Sequence, residues 1–73
     1  MKYAVVYEQA PHNWAAYVPD LPGCVATGAT REETERLITE GIKLHLESML
    51  QQGEEIPPAT TAVGSVEIEV GAA

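Results

Sequence analysis

The sequence predicts a two-layer α+β domain ordered β-β-β-α-β, with one helix covering one face of a four-stranded mixed sheet. Two observations lead to this fold: short Tyr- and Val-rich segments with period-two alternation, and one long amphipathic stretch that follows a capping signal. At 73 residues the chain can form one small domain, which we assign to residues 1–70, with a flexible tail at 71–73.

Three strands are predicted before the helix. Residues 2–8 alternate with period two and carry apolar side chains on both faces, and residues 14–18 follow after a turn as an antiparallel second strand. Pro19 and Pro22 each fix their own φ and disfavour helix at the preceding residue, so they bracket a turn. Residues 24–28 then predict a third strand of mostly small residues.

A capping box marks the start of the helix. Thr30 is a strong N-cap because Glu33 stands three positions later, and the helix is predicted over residues 31 to about 52. Gly53 supplies a left-handed C-cap. The apolar positions recur at helical spacing and form one stripe: Leu37, Ile38, Ile42, Leu46, Met49 and Leu50.

The last predicted strand lies near the C-terminus. Val66, Ile68 and Val70 alternate with Glu67 and Glu69, which is typical of a strand with one buried face. A right-handed helical crossover would return this strand beside the first one. The predicted sheet order is therefore 3-2-1-4.

The proline-bracketed segment carries a family resemblance. The runs Tyr17-Val18-Pro19-Asp20-Leu21-Pro22-Gly23-Cys24 and Thr30-Arg31-Glu32-Glu33, placed before a long helix, resemble the HicB family of antitoxin domains. The resemblance implies a partial ribonuclease H-like fold. It also implies that the chain binds a small basic RNA-cleaving HicA-type toxin and occludes its active site. Many HicB antitoxins continue into a C-terminal DNA-binding module, and because this sequence stops at Ala73, operator binding is not carried over.

The acidic balance of the chain agrees with a basic partner. Four Lys and Arg stand against eleven Asp and Glu, a net charge of −7, so direct binding of nucleic acid is not expected. We predict two partner-binding surfaces: an exposed rigid tip at Asp20, Leu21 and Pro22, and the acidic helix surface around Glu40 and Glu47. A purely structural turn is the alternative for the tip.

Self-association is expected because one helix can cover only one face of the sheet. Some of the bulky side chains on the first two strands should then face a second copy, in a homodimer or higher oligomer. The alternative is that the linker at 54–65 folds back across the open face. The candidate self-association residues are Tyr3, Val5, Tyr7, Trp14 and Tyr17.

No catalytic, cofactor or metal site is predicted. His12, His45 and the single Cys24 have no ligand spacing or activating partner, and the carboxylates match no motif that would gather them. No apolar run is long enough for a signal peptide or a membrane span, so a cytoplasmic location is expected. The alternatives to an antitoxin are an orphan dimeric HicB-like binding module and, third, a degenerate nuclease.

Overall fold

The computed structural model describes residues 1–71. Three short strands, β1 (Val6–Gln9), β2 (Trp14–Tyr17) and β3 (Val25–Gly28), precede one long helix, α1 (Arg31–Gln51). The strands form an antiparallel sheet in the order β1-β2-β3, with Val6 opposite Tyr17 and Tyr17 opposite Val25. The helix packs on one face of this sheet, mainly against β3 and β2.

The predicted four-stranded sheet of order 3-2-1-4 is wrong. The three strands before the helix are present, but residues 66–70 pair with no strand among the described residues. The partial ribonuclease H-like outline, which includes that fourth strand, is likewise not found in residues 1–71. Alternation predicts which side chains a strand would bury, but a strand also needs a neighbour to pair with. Of the predicted tail at 71–73, residues 72 and 73 lie outside the described residues.

The first strand is also shorter than predicted, for a local reason. It begins at Val6, whereas the sequence pattern begins at residue 2. The β1–β2 register would place Ala4 opposite Pro19, and proline has no backbone N–H to donate to a ladder. The pairing therefore stops before that position.

The helix starts and ends where the capping signals predict, although the Glu33 side chain bonds the amide of Ala29 instead of that of the N-cap Thr30. The Thr30 hydroxyl accepts a hydrogen bond from the Glu33 amide at 3.1 Å, and the Glu33 carboxylate accepts one from the Ala29 amide at 3.3 Å. At the other end Gly53 has a φ of 72°, the left-handed conformation that favours glycine.

The core lies between the helix and the sheet. Five apolar residues are buried in it: Ala16, Val18, Leu21, Cys24 and Ile38. Leu50, although part of the apolar stripe, is exposed, because successive i+4 steps drift around the helix and place it about 120° from Ile38. Where α1 begins, the backbone of Gly28 lies so close to Thr34 that a Cβ on Gly28 would stand 2.6 Å from the Thr34 hydroxyl.

Candidate functional site

The turn between β2 and β3 is held by backbone hydrogen bonds and points its leucine inward. The Leu21 amide donates to the Val18 carbonyl at 3.0 Å, and the Cys24 amide donates to the Leu21 carbonyl at 3.0 Å. Gly23 takes a φ of 85° to complete the reversal. The Leu21 side chain is 0% exposed, so the expectation of an exposed apolar tip is wrong at this residue. Pro22 remains exposed.

Asp20, in the same turn, holds a segment forty residues away. Its carboxylate accepts hydrogen bonds from the Thr60 amide at 3.0 Å and the Thr60 hydroxyl at 3.1 Å. It also accepts from the Thr61 amide at 3.0 Å and the Thr61 hydroxyl at 2.7 Å. These bonds, those from Thr61 foremost, lower the pKa of the Asp20 carboxyl, because they favour the charged form. We call Asp20 with Thr60 and Thr61 the Asp20 clasp.

A second contact fastens the chain just before the clasp. The Tyr3 hydroxyl donates to the Pro57 carbonyl at 2.5 Å. The two contacts hold residues 57–61 against the N-terminal segment and the β2–β3 turn. The linker at 54–65 does not cover the open face of the sheet, because Val25 and Tyr17 stay 69% and 40% exposed there.

The two faces of the sheet differ from the expected arrangement. Three predicted self-association residues, Tyr3, Val5 and Tyr7, pack against the core on the helix side and are half-buried. Trp14, also half-buried, shares the side of β2 that carries buried Ala16.

The face away from the helix carries a different apolar set. Because residues directly opposite in the register share a face, Val6, Tyr17 and Val25 form a row across all three strands, which we call the open-face row. Tyr17 is the one predicted self-association residue in it. Val6 and Val25 are not among the predicted residues, because their place in the row depends on a pairing register that alternation alone does not determine.

The helix surface carries exposed charge. Glu40 and Glu47 are both exposed, two turns apart on one side of α1. Nearer the start of the helix, the Arg31 guanidinium lies 4.9 Å from the centre of the Tyr7 ring. The pKa of Tyr7 is raised, first by burial and then by the negative charge of Glu35.

The acidic excess is concentrated in the C-terminal part of the chain. Five acidic residues follow Lys43, whereas no Lys or Arg does.

The described residues show little that would support catalysis. Across residues 1–71, no three His, Cys, Asp or Glu side chains gather as a metal-binding group. Cys24 is buried, and burial raises the pKa of its thiol, which keeps it in the unreactive protonated form. The described part of the chain has no helix with the length and apolar character needed to cross a bilayer.

Comparison with known proteins then identifies the family. Residues 3–70 match the family model described as the HicB_like antitoxin of bacterial toxin-antitoxin system. The chain belongs to this family. The matched range includes both the β2–β3 turn and the helix, and the match confirms the resemblance to the HicB family.

Individual relatives agree with the HicB-like assignment. The chain is 30% identical over 69 residues to Antitoxin HicB 2 of Photorhabdus laumondii, covering 93% of this chain and 50% of that protein. It is 36% identical over 58 residues to UPF0150 protein Ta0767 of Thermoplasma acidophilum, covering 78% of this chain and 84% of that protein. A 14.9 kDa protein of Haemophilus phage HP1 is 37% identical over 57 residues, covering 78% of this chain and 43% of the phage protein. No solved structure gave a significant match.

The HicB-like chain thus spans half or less of the length of two of these relatives, the Photorhabdus antitoxin and the phage protein. Membership in an antitoxin family implies a toxin as partner in general terms.

Proposed function

We propose that this HicB-like chain is an antitoxin that binds a small, basic, RNA-cleaving toxin of the HicA type in the cytoplasm and occludes its active site. The family match over residues 3–70 is the observation that carries the proposal. The chain would act by steric and electrostatic inhibition and would perform no chemistry itself. The net charge of −7 supports a cationic partner, because it accelerates encounter with a basic protein and repels a phosphate backbone.

The exposed face of α1 is the better of the two predicted binding surfaces. Leu21 is buried and Asp20 holds Thr60 and Thr61, which leaves Pro22 alone exposed at the tip. Glu40 and Glu47 remain exposed on the helix and free to approach a basic surface. We therefore place the toxin contact on this side of α1.

A charge-reversal pair tests that placement against a small basic toxin encoded beside this gene. Glu47→Lys should slow association several-fold at low salt and flatten its dependence on ionic strength. Glu8→Lys makes the same change in net charge on the opposite layer of the molecule, where Glu8 is exposed on β1, and should have a much smaller effect. Equal effects of the two variants would remove the helix surface from the proposal.

The antitoxin proposal as a whole depends on binding by the wild-type chain. We expect tight binding at low salt and loss of RNA cleavage by the toxin at equimolar ratio. If the wild-type chain neither binds nor inhibits such a toxin, the orphan binding module takes its place. Cleavage of RNA by this chain alone with magnesium or manganese would favour the degenerate nuclease.

We further propose that the chain self-associates. An exposed apolar row crosses the sheet on the side that the helix leaves open, with Tyr17 and Val25 as its most exposed members. Apolar surface of this kind commonly marks an interface. Sedimentation of the full chain at micromolar concentration should give a mass above the 7.8 kDa of one copy.

A further inference from the structure

The segment that follows the Asp20 clasp makes no strand pairing within the described chain. We call residues 62–70 the C-terminal arm. Within it Val66, Ile68 and Val70 are 81%, 73% and 87% exposed, although they alternate with glutamates as in a strand that buries one face. We propose that residues 65–70 of the arm pair, as a fourth strand, with the free edge of β1 in a second copy of this chain.

The arm has the length and pattern of a strand. Six residues is a usual strand length in globular proteins. Its three apolar side chains all fall on one face, and Glu67 and Glu69 fall on the other. An exposed apolar face of this kind is buried when the strand adds to the edge of a sheet.

The edge of β1 is suited to receive such a strand. β1 pairs with β2 on one side, and its other side pairs with no strand among residues 1–71. Residues 3–5, which extend this edge, are half-buried and make no backbone hydrogen bond within the described chain. The backbone N–H and C=O groups along this edge are therefore available to pair with an added strand.

The clasp sets where the arm leaves the molecule. With the Tyr3–Pro57 contact, the clasp holds residues 57–61 beside the N-terminal part of the edge, where residues 2–5, Tyr7 and residues 61–63 line a groove. Beyond that point the arm extends into solvent instead of returning along its own β1. The molecule is accordingly 58 Å long against 28 and 17 Å in its other dimensions.

A second copy matches both halves of this arrangement. Each chain presents one unpaired arm and one unpaired edge, so two chains related by a twofold axis can satisfy both at once in a closed dimer. The apolar face of the arm would join the half-buried side chains of Tyr3, Val5 and Tyr7 on the helix side of the partner's sheet. We call this reciprocal pairing of each arm with the β1 edge of the other copy strand exchange. It gives a structural basis for the self-association proposed above and rests on that proposal.

A matched pair of variants in the arm tests its contribution by sedimentation equilibrium of the full chain. Ile68→Asp places a charge on the apolar face and should raise the dimer dissociation constant at least about tenfold. Glu69→Gln changes the neighbouring residue on the other face and should leave the constant within about twofold. Because Ile68 is exposed outside the core, the circular dichroism of both variants should match that of the wild type. A wild-type affinity in Ile68→Asp would overturn strand exchange.

The position of the arm is tested separately by NMR on an equimolar mixture of ¹³C-labelled and unlabelled wild-type chains. Isotope-filtered spectra should show contacts from residues 66–70 of one copy to residues 3–7 of another. A dimer without these contacts would refute strand exchange while leaving self-association intact. A monomer would refute both strand exchange and self-association, whether the arm pairs with its own β1 or stays free. If the arm becomes ordered only after a basic toxin is added, the toxin and not a second copy is its partner, which also refutes strand exchange.

Discussion

Replacing either of two glycines with alanine should change the free energy of unfolding, in opposite directions at the two positions. At Gly28 the new Cβ would lie 2.6 Å from the Thr34 hydroxyl oxygen and 3.0 Å from the Thr34 amide nitrogen, well inside the 3.4 Å at which ordinary contact begins. At Gly41, in the middle of α1, the nearest atom would be the Cys24 sulfur at 4.0 Å. Crowding should dominate at the first position and helix propensity at the second.

The magnitudes follow from how firmly each neighbour is held. Thr34 is fully buried, and both its hydroxyl and its amide bond to the Thr30 carbonyl, so it cannot move aside easily. Overpacking of this kind costs about 1–3 kcal/mol, offset by about 0.4–1 kcal/mol from the less flexible unfolded chain. Gly28→Ala should therefore destabilise by about 1–2 kcal/mol. Gly41→Ala should stabilise by about 1 kcal/mol, because alanine is the better helix former and the methyl group has room.

Urea unfolding at one fixed protein concentration measures the difference. With a slope of about 1 kcal/mol per molar urea, the midpoints of the two variants should differ by about 2–3 M. A destabilised Gly41→Ala would mean that the helix approaches the sheet more closely than the structure shows. A neutral Gly28→Ala would mean that the start of the helix can shift without cost.

Three further predictions concern the β2–β3 turn. Leu21→Ala should lower the free energy of unfolding by about 2–5 kcal/mol, whereas Pro22→Ala should lower it by about 1 kcal/mol or less; similar losses would contradict the buried position of the leucine. The pKa of Asp20 in the folded protein lies below the ordinary value of about 3.9, so the clasp should be intact above pH 3.9 and should release residues 60–61 as the pH falls through the folded pKa. The release should be measurable as a loss of hydrogen-exchange protection at the amides of these two residues. In Asp20→Asn that protection should be weak at every pH. Cys24 should react with a thiol reagent only as fast as the protein opens, and fast reaction at pH 8 would contradict its burial.

Local chemistry made part of this fold predictable from the sequence. The helix begins after Thr30 and ends before Gly53 because side-chain and backbone hydrogen bonds within a few residues determine its ends. β2 and β3 lie within one residue of their predicted starts and ends for the same reason, since turns flank both.

The errors involve contacts across long sequence separations. The inward direction of Leu21 depends on how the turn docks on the helix, which two prolines and a glycine do not specify. The Asp20 clasp uses two threonines forty residues away that carry no local signal of their partner. The last strand was predicted from a valid pattern, but its pairing partner is not in the sheet of the described chain.

The Asp20 clasp also shortens the part of the chain that is free to search for a partner. Without the clasp, the Tyr3–Pro57 contact would still hold residue 57, so the free segment up to residue 70 would begin at 58 and have about 13 residues; with the clasp it begins at 62 and has about nine. The effective concentration at the end of a flexible tether falls roughly as the −3/2 power of its length, so the clasp raises the local concentration of the arm by roughly 1.5–2-fold. Once the first of two arms engages, the second would close under that higher concentration, and protonation of one carboxylate would remove the advantage.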